Sequence, residues 1–219
     1  VVTLHHIASD GWSRSILVND FVTFYSHYEE GRTANMPVLP VQYADYAMWQ
    51  RNYLEGTVLE KKIAYWKEKL EGVPALQLPT DFQRPTIQGT AGSIAQFSID
   101  KALSDRLHSL SQQQGATMFM TLLAAFKVLL FRYSGQQDIC VGTPIAGRQQ
   151  QELEGLIGFF VNTLALRTNL NGDASFTDLL QQVRTGTLEA YEHQEAPFEK
   201  VVEAVIKERN LSRSPIFQV

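Results

Sequence analysis

The chain has 219 residues, 44% hydrophobic and 19% charged, with 19 basic against 23 acidic side chains and a formal charge of -4. This excludes low-complexity disorder and collagen-like repeats, and a chain of this length buries about 70% of its unfolded surface without a disulfide or metal. No basic surplus points to a nucleic-acid partner. In chain order, Val1–Leu4 reads as the end of a buried strand and His5–Gly11 as a polar turn. A helix follows over about 13–30, with Leu17, Phe21, Phe24 and Tyr28 on one face. Helices are predicted over about 41–54 and 58–70. Residues 72–92 hold three prolines and three glycines without a helical period and read as a linker. Ile94–Ile99 alternates like a strand. Leu103, Leu107 and Leu110 line the next helix, and the one over 116–133 is apolar nearly all round, which predicts a central position. Strands over 139–143 and 159–167 and helices over 176–192 and 197–207 complete a mixed α/β pattern without regular βαβ alternation.

The single cysteine, Cys140, cannot form an internal disulfide, which predicts a reducing, cytoplasmic setting. In the apolar run Asp138–Gly142 it reads as a small buried hydrophobe rather than a nucleophile. No window reaches the ~18 uninterrupted apolar residues of a membrane span, so no membrane partner is expected. The chain opens on Val1 and closes on Val219 within apolar runs, which reads as a piece of something longer.

His27, His108 and His193 are scattered without partners and read as solvent-facing or capping. His5 and His6 differ. They stand where a strand meets a turn, with Asp10, Gly11 and a helix start following. On a strand they point to opposite faces, so one meets the core and the other a cavity, and they do not share a metal ion. No metal site is expected. A neutral imidazole accepts a proton near pH 7, and Asp10 is placed to orient it or to pair with a cation. From these residues alone, a catalytic histidine and a structural His-Asp turn both fit. Tyr43, Tyr46 and Trp49 read as helix packing. Asn162 and Thr163, polar within an apolar strand, must find partners or line a channel.

His5-His6-Ile-Ala-Ser-Asp10-Gly11-Trp12-Ser13 resembles the HHxxxDGWS motif of condensation domains from nonribosomal peptide synthetases. Further segments resemble the same family in the same order: Tyr43–Gln50, Leu78–Pro85, Val141–Arg148, Ile157–Arg167, His193–Glu199 and Leu211–Gln218. The likeness runs the whole chain. Glu195 departs from it, an Asp being usual there.

The resemblance implies a chloramphenicol-acetyltransferase-like fold of two α/β lobes in a V, with the first lobe incomplete. Residues 1–80 are then the rest of the N-terminal lobe, 81–93 the linker, and 94–219 the C-terminal lobe. It implies peptide-bond formation in antibiotic and other secondary-metabolite synthesis, the acceptor's α-amine attacking the donor's thioester. Both substrates would ride on 4'-phosphopantetheine of carrier domains, with an adenylation domain in the same synthetase and no cofactor held by the domain itself. His6 becomes the catalytic group and Gly11 an oxyanion donor; His5, Asp10, Trp12 and Ser13 become structural. The arginine that pairs with the motif aspartate is expected upstream, so Asp10 is expected to lack its partner in this chain and the isolated piece to be inactive. Trp12-Ser13 favours condensation over an epimerisation domain. The alternatives are that domain, a coenzyme-A-dependent acyltransferase of the same fold, and a non-catalytic carrier-docking fragment.

Overall fold

Helix caps set much of the local structure. In the computed structural model, which describes residues 1–89, 91–207 and 212–219, side-chain oxygens close the first turn of four helices. Asp10 caps α1 (Gly11–Glu29), Asp100 caps α4 (Lys101–Gln113), Thr117 caps α5 (Met118–Ser134) and Ser175 caps α6 (Phe176–Glu192). Helices α2 (Tyr43–Tyr53), α3 (Gly56–Leu70) and α7 (Phe198–Val205) complete the helical set among the described residues. Strands β1 (Asp138–Ile145) and β2 (Asn162–Asn169) pair in a two-stranded sheet. Thr90, in the expected linker, and Leu211, the first residue of the last motif segment, lie outside the described residues.

The chain divides into two units: Val1–Lys61 with Pro144–Asn162, and Lys62–Thr143 with Thr163–Val219. In the first, Leu153, Leu156 and Phe160 form a buried cluster against Val41 and Tyr46. In the second, one face of α5 (Leu123, Ala124, Leu130) is buried, as are Ile139, Leu164 and Leu180.

Three expectations need correction. Val1–Leu4 is not a buried strand: no ladder partner stands beside it among the described residues, and Leu4 is 51% exposed. Ile94–Ile99 is likewise not a strand. An apolar or alternating run marks a segment fit for a sheet, but a strand exists only where a second one meets its N–H and C=O groups. Helix α5 is central on one side only, since Phe119, Leu122, Phe126, Leu129 and Tyr133 are exposed. The α1 face with Phe21, Phe24 and Tyr28 is exposed too. Helical periodicity shows that apolar residues share a face, not that anything covers it.

Within the second unit, Lys127 is 1% exposed and donates to the Leu166 carbonyl at 2.7 Å and the Thr168 hydroxyl at 2.6 Å. Cys140, buried as expected, faces the same interior. Burial lowers the lysine from 10.5 to about 8 and raises the thiol from 9.0 to about 12. The two act oppositely on stability. Between pH 8 and 10.5 the unfolded lysine holds more protons than the folded one, so stability rises with pH. Between pH 9 and 12 the folded thiol holds more, so stability falls. The effects offset each other from pH 9 to 10.5. Lys127→Met removes the rise alone. Urea unfolding across pH 7–11 should then show the variant losing stability from about pH 9, where the parent stays level.

Candidate active site

The histidine pair does not sit on a strand. His6–Ala8 form a 3₁₀ turn, and His5 closes it by accepting the Ile7 N–H on Nδ1 at 3.1 Å. The expected split of one histidine to the core and one to a cavity is replaced by a division of labour within the turn, where both side chains are exposed. His6 Nδ1 lies 2.8 Å from the Ser9 carbonyl. A carbonyl only accepts, so the proton is on Nδ1 and neutral His6 carries its lone pair on Nε2. The His6 ring stands edge-on to Phe159, centroids 5.3 Å apart. It lines a cavity of about 560 Å³ with Leu4, Gly11, Arg14, Leu17 and Phe21 among the other lining residues.

Asp10 anchors the turn. Its Oδ1 accepts the Ser13 N–H at 2.8 Å and the Ser13 hydroxyl at 2.7 Å, and its Oδ2 accepts the Phe160 N–H at 3.1 Å. Arg148 Nη2 lies 3.3 Å from Oδ1, with the two side chains 1% and 0% exposed. This corrects the expectation that Asp10 lacks its arginine here. The partner is Arg148, the last residue of the Val141–Arg148 segment. Nothing in a linear reading joins positions 138 residues apart. In the sequence Asp10 reads as part of a polar turn able to pair with a cation, and only the fold buries it and supplies Arg148 as that cation.

Arg148 ties the turn to the loop after β1. Its Nη1 donates to the Leu153 carbonyl and, at 2.8 Å, to that of Leu156, and its guanidinium lies 3.9 Å from the Phe160 ring centroid. Ser13 Oγ accepts from the Gly158 N–H at 3.1 Å and from Arg148 Nη2 at 3.0 Å. The Trp12 indole donates to the Glu154 carbonyl at 3.0 Å. Trp12 and Ser13 therefore lock the start of α1 to the 154–160 loop. Tyr43 donates to the Phe159 carbonyl at 2.8 Å, and the Tyr43 and Tyr46 rings pack on Phe160 at 5.1 and 4.7 Å. The run from Phe159 is thus loop up to Val161, and β2 starts only at Asn162. Asn162 and Thr163 are half-buried at that strand start and are not among the residues lining the cavity.

Two glycines behave differently. Gly147 has φ +66°, and a Cβ there would fall 1.9 Å from the Phe160 carbonyl oxygen. Gly147→Ala should cost about 2–5 kcal/mol, from left-handed backbone strain plus overpacking, readable as a lower urea midpoint. At Gly11 a Cβ meets nothing within 4 Å, so Gly11→Ala serves as the folded control.

A family model for the condensation domain matches residues 1–219. The chain belongs to the condensation-domain family. It is 52% identical over 220 residues to one of the linear gramicidin synthase proteins of Brevibacillus parabrevis, covering all of this chain and 3% of that protein. It is 44% identical over 218 residues to one of the plipastatin synthase proteins of Bacillus subtilis (strain 168), covering 99% of this chain and 8% of that one. Among solved structures, the X-domain from teicoplanin biosynthesis superposes with a TM-score of 0.90 at 30% identity, over 99% of this chain and 49% of that one. A four-domain nonribosomal peptide synthetase bound to AMP and glycine superposes with a TM-score of 0.87 at 28% identity, over 98% and 16% respectively. The fold is thus the mixed α/β, chloramphenicol-acetyltransferase-like one of condensation domains. The chain spans a small fraction of these curated relatives and about half of the X-domain chain. Among the described residues no three His, Cys, Asp or Glu side chains are grouped to hold a metal ion, and no single helix is long and apolar enough to cross a membrane.

Proposed function

We propose that this chain carries the catalytic turn of a domain that joins two carrier-bound acyl groups by a peptide bond. The observation that carries the reading is the His6 ring: its Nδ1–H is held on Ser9, leaving Nε2 as an acceptor beside a cavity. The acceptor's α-amine attacks the donor's thioester carbonyl. The C–N bond forms, the C–S bond breaks, and the amine proton passes by way of His6 Nε2 to the departing thiolate. An α-amine has a pKa near 7.7–8.0, so part of it is neutral at pH 7, and holding amine and thioester together supplies much of the rate. Gly11 supplies a backbone N–H at the start of α1, where the first donors have no intrahelical acceptor, to the developing oxyanion.

In this reading the thioesters arrive on 4'-phosphopantetheine of carrier domains, alongside an adenylation domain of the same synthetase, in the cytoplasm. Asn162 and Thr163 are assigned to a part of the substrate channel away from the His6 cavity, which they do not line. The lobe boundaries follow the family, with 1–80 and 94–219 on either side of a linker. The chain covers about half of the X-domain chain, and this reading assigns the activity to a domain of that full length. The test is product formation: the intact domain, given loaded donor and acceptor carriers, should yield a dipeptidyl carrier by mass spectrometry. Carrier binding without product would leave a docking role.

A further inference from the structure

Residues Asp10, Arg14, Leu17 and Phe21 recur at i, i+4, i+7 and i+11 and line the cavity beside His6 from one stripe of α1. Its walls are otherwise largely apolar, with Val2, Leu4 and Val18 contributing. Three ionisable side chains reach it: His6, Asp10 and Arg14. Two are committed. His6 bonds the Ser9 carbonyl, and both Asp10 oxygens are taken by Ser13, Phe160 and Arg148. Arg14 has no hydrogen bond or ion pair among the described residues. Its helical neighbours at i−3, i+3 and i+4 are Gly11, Leu17 and Val18, none of which accepts, and the carboxylate at i−4 is Asp10, already turned to Arg148.

An exposed guanidinium with no carboxylate of its own among the described residues, on a residue lining a largely apolar cavity, is a fixed positive charge with free donors. Its planar fork matches the two oxygens of a carboxylate or phosphate. Three residues beyond Gly11, it lies about 4.5 Å along the helix axis from the proposed oxyanion donor. The apolar wall accepts the carbon skeleton of a substrate and the arginine sorts it by charge. We propose that Arg14 is a specificity-determining residue that binds an anionic oxygen group, carboxylate or phosphate, on the acyl substrate held beside His6. This rests on the reading of the site as a thioester-condensing one. The group has two chemical sources: an acidic side chain on the acyl group, or the phosphate of the pantetheine arm.

The experiment compares the intact domain with its Arg14→Ala and Arg14→Lys variants. Aspartyl and asparaginyl thioesters are offered in turn as donor and acceptor, both on phosphopantetheinyl carriers and as phosphate-free pantetheine thioesters. Arg14→Ala should raise KM about tenfold for the anion-bearing substrates with kcat nearly unchanged, and Arg14→Lys should restore part of it. If the carboxylate is the ligand, the effect follows aspartyl over asparaginyl on both carriers. If it is the phosphate, the effect follows the carrier whatever the side chain. An equal change across all four substrates, or none, overturns the proposal. Binding of non-hydrolysable aspartyl and asparaginyl thioether analogues of both kinds, measured by calorimetry, gives a readout without turnover. A parent that makes no peptide yet loses anion-selective binding on Arg14→Ala would refute the condensation reading and keep the arginine's role, whereas unchanged binding would refute the arginine's role.

Discussion

Arg148→Ala is expected to lower the melting temperature by on the order of 10 °C, the equivalent of the roughly 3–5 kcal/mol lost when one partner of a buried ion pair is removed. The magnitude follows from what is left behind. The Asp10 side chain is fully buried, and without Arg148 it keeps only Ser13 and the Phe160 N–H. The Leu156 carbonyl loses the Arg148 donor in the same step, and the Leu153 carbonyl keeps only the Leu156 N–H. Asp10→Ala should cost a similar amount, and the double variant much less than the sum, because the two side chains act as one unit. Burial acts to raise the Asp10 pKa, but the Ser13 N–H and hydroxyl, the Phe160 N–H and Arg148 outweigh it and hold the carboxyl below 3.8. A depressed folded pKa gives stability that is present above the unfolded value and lost as pH falls through the folded one. The parent should therefore lose this contribution below about pH 4, and Arg148→Ala should show a shallower acid limb. Thermal melts of the three variants between pH 2.5 and 7 check both statements. Additive single and double variants would show that the pair is not a unit.

The second large effect is on rate. His6→Ala in the intact domain should reduce dipeptidyl-carrier formation by about 10²–10⁴-fold, the range for a positioned proton acceptor. Because the side chain is exposed, the melting temperature should move by no more than about 3 °C. His6→Gln separates two contributions: a glutamine can hydrogen-bond the amine but cannot take its proton. Retention of most of the rate in His6→Gln would make the imidazole a positioning group. A near-normal rate in His6→Ala would remove it from the mechanism.

The helices and the turn are legible in the sequence because their determinants are local. Asp10, Asp100, Thr117 and Ser175 each stand directly before a helix and cap it, and the HHxxxDGWS run is contiguous. The family follows from that run and the order of the later segments. What cannot be read there is non-local. Val1–Leu4 and Ile94–Ile99 have strand-like composition, but a ladder depends on a second segment. The placement of His5 and His6 on a strand fails with it, since a 3₁₀ turn lets His5 close on Ile7 and His6 on Ser9. The Asp10–Arg148 pairing and the Trp12–Glu154 bond span most of the chain. Arg14 carries no signal in the sequence because its interest lies in having no partner among the described residues, a property of three-dimensional surroundings.

That Arg148 sits on the far side of β1 also bears on how the protein is made. The unit holding the His6 turn is assembled from two stretches of sequence with the run from Lys62 to Thr143 between them. With 138 residues separating Asp10 from its cation, a ribosome adding 5–20 residues per second reaches the arginine roughly 7–28 s after the aspartate. For that interval the aspartate has the Ser13 N–H and hydroxyl and water but no cation from Arg148, and the start of α1 has no Gly158 or Phe160 to close against. The turn that carries His6 is thus completed only after α1 to α5 and β1 have been made, although its own residues precede all of them. A nascent chain interrupted before Arg148 would carry the entire HHxxxDG motif with its local bonds at Ile7, Ser9 and Ser13 but without Arg148, Gly158 and Phe160.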